Sequence, residues 1–81
     1  MTRETLAKLR MIEKQAESTI AKETGATVEV TIRDSFIVYT EDIERVEAIK
    51  SLLSQVRNFI GERIYGPDDD GPAAAVLTFA L

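Results

Sequence analysis

Cysteine, histidine and tryptophan are all absent from this sequence of 81 residues. Without histidine or cysteine, the chain cannot build a Ser-His-Asp or Cys-His catalytic arrangement, and it lacks the ligands of the usual zinc sites. It also cannot form a disulfide, which is how many small secreted domains are stabilised. These absences favour a non-enzymatic protein of a reducing compartment, and we expect it in the cytoplasm.

Long apolar runs and phosphate-binding motifs are missing as well. The apolar runs fall far short of the roughly 18 residues of a membrane span, and the start, MTRETLAKLR, has no signal-peptide core. Gly61 and Gly66 have the spacing of a P-loop, but Pro67 and Asp68 follow where lysine and a hydroxyl residue are required. The net charge of −4 opposes attraction of the whole surface to nucleic acid or anionic lipid. We therefore predict no membrane partner, no cofactor, no metal and no catalytic residues.

The stretch VEVTIRDSFIVY, residues 28–39, predicts a β-hairpin. Its first half alternates apolar and polar residues, as a half-buried strand does, whereas Phe36, Ile37, Val38 and Tyr39 are apolar in succession. A loop of two or four residues would leave Phe36 and Val38 on the outer face of the sheet. A loop of three residues would leave Ile37 and Tyr39 there instead. In both registers the outer face carries two large apolar side chains.

A helix is predicted on each side of this hairpin. Residues 4–24 carry apolar side chains at spacings of three and four, with Thr2 as N-cap and Gly25 as the terminating glycine. A second helix is expected to begin near Thr40, where acidic residues complement the helix dipole, and to continue to about Ile60. Its predicted buried stripe consists of Ile43, Val46, Ile49, Leu53, Val56 and Ile60, widened by Leu52 and Phe59. Leu53 and Val56 are predicted core residues.

Gly66–Pro72, with the sequence GPDDDGP, is the one obvious loop and contains three adjacent carboxylates. Asp68, Asp70 and Gly71 would fit the third, fifth and sixth positions of an EF-hand loop. Gly66 and Leu77 would then occupy the first and twelfth positions, where oxygen ligands are required. The mismatch at both ends indicates a solvated acidic turn without a metal.

The last segment, Ala73–Leu81, predicts a third strand that is apolar on both faces. The chain is thus expected to be a single small α+β domain, 1–81. Its predicted architecture is a two-layer α/β sandwich with the order α-β-β-α-β and both helices on one face of a three-stranded sheet. We expect the second strand at the centre and the second helix as a crossover to a parallel third strand. The alternative places the first strand at the centre, with all neighbours antiparallel.

This predicted order resembles a ferredoxin-type β-α-β-β-α-β unit without its first strand, and it is similar to part of the type II KH order. The KH resemblance would imply RNA binding. The G-x-x-G loop that holds the nucleic acid backbone in KH domains is absent from this chain, however.

The surplus of apolar residues on the second and third strands leads to the functional hypothesis. We expect a protein-interaction or self-association module, most simply a homodimer formed through third-strand edges or sheet faces. The predicted interaction surface comprises Phe36, Ile37, Val38, Tyr39, Val76, Leu77, Phe79 and Leu81. The alternative is an RNA- or nucleoprotein-associated module that uses the basic side of the first helix, Arg3, Lys8, Arg10 and Lys14.

Overall fold

A computed structural model describes residues 2–67 and 71–81 of the chain. Two helices and four strands follow one another in the order α-β-β-α-β-β. They are α1 (Arg3–Thr24), β1 (Val28–Ile32), β2 (Phe36–Thr40), α2 (Val46–Ser54), β3 (Phe59–Tyr65) and β4 (Ala74–Phe79), with a short 3-10 turn, Ile43–Arg45, before α2.

Helix α1 has the caps that its sequence predicts. Thr2 accepts a hydrogen bond from the backbone N–H of Thr5 at 3.2 Å, and Gly25 terminates the helix with a φ of 77°. A residue with a side chain would be strained at that backbone conformation. The Gly25 N–H donates to the carbonyl of Ala21, and the chain then turns directly into β1.

The hairpin has the three-residue loop, which was one of the two registers left open by the sequence. Ile32 pairs with Phe36 and Val30 pairs with Val38, so Arg33, Asp34 and Ser35 form the connection. Phe36 and Val38 are therefore buried with Val30 in the core, while Ile37 and Tyr39 lie on the opposite face of the sheet.

The predicted three-stranded sheet is wrong, because the second half of the expected long helix is a strand. Helix α2 ends at Ser54, and Phe59–Tyr65 forms β3. This segment is rich in aromatic and β-branched residues, which suit a strand, and Gly61 within it is costly in a helix. Pairing with the apolar β4 stabilises the strand form. The loop after Tyr65 thus joins two strands of a hairpin rather than a helix to a strand.

The sheet order is β1-β2-β4-β3, and every neighbouring pair is antiparallel. The expected parallel crossover is therefore wrong, since β3 reverses the chain before β4 enters the sheet. This also removes β4 from the edge, where we had expected it, and places it between β2 and β3. Its two apolar faces fit this central position. Because none of these strand pairs is parallel, the resemblance to a ferredoxin-type unit does not extend to a parallel crossover.

Both helices pack on the same face of the sheet. The core brings side chains of α1 and α2 together with alternate residues of the central strands. Its members are Ile20, Ala26, Val30, Phe36, Val38, Val46, Ile49, Leu53, Ala75, Leu77 and Phe79. Leu53 is 7% exposed, as expected, but Val56 is 77% exposed and lies beyond the end of α2. The predicted acidic turn at Asp68–Asp70 lies outside the described residues.

The contrast between Leu53 and Val56 gives a test of the fold. Leu53→Ala is expected to lower the free energy of unfolding by about 2 to 5 kcal/mol, because it removes buried side-chain volume and leaves a cavity. Val56→Ala serves as the matched control and should cost less than about 0.5 kcal/mol. Urea unfolding measures both changes. Equal losses for the two variants would show that α2 continues through Val56 after all.

Candidate interaction surfaces

The face of the sheet opposite the helices is covered by no helix or strand among the described residues. The strand register places Glu29, Tyr39, Val76 and Arg63 in one row across this face, from β1 to β3. Thr31, Ile37, Thr78 and Gly61 form the neighbouring row. We call this surface the uncovered face. Its centre is apolar, with a carboxylate at one side and a guanidinium at the other.

Tyr39 is the largest side chain at the centre of the uncovered face and is 37% exposed. Its hydroxyl donates to Oε1 of Glu41 at 3.2 Å. Partial burial raises the pKa of Tyr39 above its ordinary value, and the nearby charges of Glu41 and Glu29 raise it further. The ring therefore remains a neutral phenol at physiological pH, with an apolar body and a polar tip of the kind found at protein interfaces.

The structure divides the eight predicted interaction residues between the core and the surface. Ile37, Tyr39 and Val76 lie on the uncovered face, and Leu81 is exposed after the end of β4. The other four, Phe36, Val38, Leu77 and Phe79, are buried beneath the helices. The candidate surface therefore narrows to the residues that point away from the helices.

One edge of the sheet is closed by side chains of α1. Glu17 Oε2 accepts a hydrogen bond from the backbone N–H of Val30 at 2.9 Å, and Glu13 Oε2 accepts one from the N–H of Ile32 at 2.7 Å. Four residues along a helix span about 6 Å. Two residues along a strand span about 6.6 Å, so successive carboxylates meet successive outward N–H groups. Helix α1 thus occupies the place of a further strand beside β1.

The opposite edge, at β3, is open. The backbone ladder of β3 runs to β4, and among the described residues no side chain accepts from or donates to the β3 backbone. All seven residues of β3 except Gly61 are exposed, with Ile60 at 60% and Ile64 at 54%. The strand contains neither lysine nor proline, which are residues that commonly guard such edges.

Lys50 of α2 forms ion pairs with the acidic residues nearest to this edge. Its Nζ lies 2.7 Å from Oε1 of Glu62 and 3.6 Å from Oε1 of Glu47, and it also lies 4.9 Å from the ring centroid of Phe59. The hydrogen bond with Glu62 is the main reason why the pKa of Lys50 is raised. The carboxylate of Glu62 is therefore neutralised by its own chain.

The basic residues of the alternative hypothesis are all exposed on α1. Arg10 and Lys14 lie beside β1, in a cleft that they share with Arg33. The same cleft also contains Glu13, Glu17, Glu29 and Asp34. Arg3 and Lys8 lie nearer the start of the helix and do not line the cleft. The structure therefore brings together only two of the four predicted basic residues, and the cleft that holds them contains four acidic residues against three basic ones.

Glu13 and Glu17 are the residues that sequence reasoning missed. They are not among the predicted site residues, and in the structure their carboxylates bind the backbone of β1. The sequence contained one signal of this role. The two acids are four residues apart on the flank of the apolar stripe of a helix that precedes a short strand. Salt bridges formed within α1 would have the same spacing, so the pattern alone does not distinguish the two roles.

A second apolar surface lies on the helix side of the molecule, between α1 and the end of α2. Ile12 and Val56 are exposed there, beside the partly buried Leu52. The guanidinium of Arg57 lies 4.4 Å from the ring centroid of Phe36, and its Nη1 donates to the carbonyl of Ala80 at 3.3 Å. Arg57 thus lines this shallow groove and links it by a hydrogen bond to the segment that follows β4.

Comparison with known proteins gives no family or relative: no protein-family model, curated protein or solved structure matches this chain. Within residues 2–67 and 71–81, no group of three or more acidic side chains is arranged to hold a metal ion. In the same ranges, neither helix has the length and apolar character needed to cross a membrane.

Removal of the two carboxylates beside β1 tests their role as edge caps. The double variant Glu13→Ala/Glu17→Ala is expected to lower the free energy of unfolding by about 1 to 3 kcal/mol, because two backbone N–H groups lose their acceptors. The amides of Val30 and Ile32 should also exchange faster with deuterium.

Glu23→Ala is the matched control, since Glu23 is an exposed acid of the same helix that makes no such bond among the described residues. Unchanged amide exchange in the double variant would contradict the capping role.

Proposed function

We propose that this protein is a non-enzymatic protein-interaction module of the cytoplasm and that its uncovered face is the docking surface. The observation that carries the proposal is the apolar centre of that face, formed by Ile37, Tyr39 and Val76 on the two central strands. The location is inferred from the lack of cysteine.

Burial of this centre against a partner would be favourable. Apolar surface removed from water contributes about 25 cal/mol per Å². Tyrosine is enriched at protein interfaces because its ring gives a large contact area at a low cost in conformational entropy. Tyr65, on the same face at the β3 side, is 38% exposed and adds a second phenol to the surface.

The opposite charges at the two sides of the uncovered face would favour one orientation of a bound partner. Glu29 lies on β1 and Arg63 lies on β3, with the apolar centre between them. A partner surface with an apolar centre and charges in the reverse order would be complementary to it. An RNA partner is less well supported, since the basic residues near β1 are mixed with acids.

Lysine substitutions on the uncovered face test the proposal. Ile37→Lys and Val76→Lys each place a charge at the apolar centre, and Val56→Lys places the same charge on the helix side as a matched control. The immobilised proteins are used to capture binding proteins from a cell extract, and the affinity of a purified partner is then measured. Both face variants are expected to bind at least about tenfold more weakly, which corresponds to about 1.4 kcal/mol.

Urea unfolding first establishes that each variant folds. Wild-type binding by the two face variants, with loss in Val56→Lys, would contradict the proposal. Binding to nucleic acid that weakens steeply with salt, and that is lost when Arg10 and Lys14 are replaced, would instead favour the alternative function.

A further inference from the structure

The edge strand β3 is the part of the structure that most clearly lacks a neighbour. We propose that β3 pairs antiparallel with β3 of a second copy, about a two-fold axis at Glu62, to form one continuous eight-stranded sheet. This inference rests on the proposed function, because it names one partner of the interaction module as the protein itself.

The two edges of the sheet differ in a way that directs this association. The outward N–H groups of Val30 and Ile32 on β1 are already bound to carboxylates of α1. No side chain among the described residues binds the β3 backbone, so alternate N–H and C=O groups along its outer edge are available to another strand. Such an edge is a template for pairing.

A second copy fits this edge better than an arbitrary strand because β3 is complementary to itself. A two-fold axis perpendicular to the sheet pairs residues that lie on the same face. With the axis at Glu62, Ile60 of each copy, which lies at the bulge between Phe59 and Gly61, comes beside Ile64 of the second copy. Gly61 lies opposite Arg63 of the second copy. The two most exposed apolar residues of the strand are thereby brought near each other.

The carboxylates at the axis are each paired with an ammonium group of their own chain in this arrangement. The two Glu62 carboxylates approach one another, but each is already bound to its own Lys50 at 2.7 Å. Each Lys50 also lies 3.6 Å from Glu47, so the cluster contains two ammonium groups and four carboxylates, and the side chains of the two Glu47 residues are 86% exposed to water. Arg63 lies on the other face of the sheet, where it is opposite Gly61 of the second copy, which has no side chain to obstruct it.

The same symmetry would extend the proposed docking surface. Because the axis is perpendicular to the sheet, the uncovered faces of both copies lie on the same side of the continuous sheet. Two apolar centres would be presented together, and Arg63 of each copy would lie near the junction. A partner with two matching sites would bind such a dimer with increased avidity.

Light scattering over a range of protein concentrations tests the association. The mass is expected to rise toward twice the 9.0 kDa of one chain. Ile64→Lys should leave a folded monomer at every concentration, because it places two charges against the edge of the second copy. Val56→Lys adds the same charge away from β3 and should dimerise like the wild type. A wild-type protein that remains a monomer throughout, including one that binds extended peptides of other proteins on β3, would overturn the proposal.

Single cysteines test the register, since the chain has none of its own. Opposite residues in an antiparallel pair have Cα atoms about 4.5 to 5.5 Å apart, which is within the range of a disulfide. Under oxidised glutathione, Glu62→Cys is expected to cross-link at least about tenfold faster than Arg63→Cys, whose equivalents do not lie opposite each other. Faster cross-linking of Arg63→Cys would overturn the register at Glu62.

These tests are separate from the test of the docking surface. Ile64→Lys and Glu62→Cys leave the apolar centre of the uncovered face unchanged. Loss of the dimer alone would refute strand pairing and leave the proposed function standing. Loss of binding in Ile37→Lys with an intact dimer would confirm the docking surface independently of β3.

Discussion

The alignment of α1 along β1 is the constraint on which the rest of this structure depends. Glu13 and Glu17 bind the outward backbone of the strand, and the apolar side of the same helix reaches the core through Ile20. The helix is thereby fixed both beside the sheet and above it. As a result, association through β1 is blocked, and the only sheet edge left open in the described part of the chain is β3.

The number of helices explains why one face of the sheet is uncovered. Two helices suffice to cover one face of four strands, and both pack on the face of Val38 and Leu77. The central strands β2 and β4 are nevertheless apolar on both sides, since Ile37, Tyr39 and Val76 alternate with the buried residues. A domain of this size has limited stability to spare. Apolar residues on an uncovered face are the feature on which the proposed binding role rests.

The sequence predicted the features that depend on local chemistry. The bounds of α1 follow from Thr2 and Gly25, and the two-sided character of residues 36–39 follows from four consecutive apolar side chains. The hairpin register could not be chosen from the sequence, because Asp34 and Ser35 fit loops of more than one length. Packing of Phe36 beneath the helices decides it in the structure.

The second half of the chain shows where periodicity fails. Val56 and Ile60 continue the helical spacing of Leu53, so the pattern alone extended the helix into what is β3. What decides the matter is tertiary pairing with β4, which lies later in the chain and supplies the ladder that residues 59–65 require. The binding of Glu13 and Glu17 to β1 is likewise a long-range contact.

The central claim is that the sheet has one closed edge and one open edge, and amide hydrogen exchange measured at low and high protein concentration tests it most directly. We expect slow exchange of Val30 and Ile32 at both concentrations. Alternate amides of β3 should exchange rapidly when the protein is dilute and slowly when it is concentrated. Rapid exchange of Val30 and Ile32, or slow exchange of the outward β3 amides in dilute protein, would contradict it.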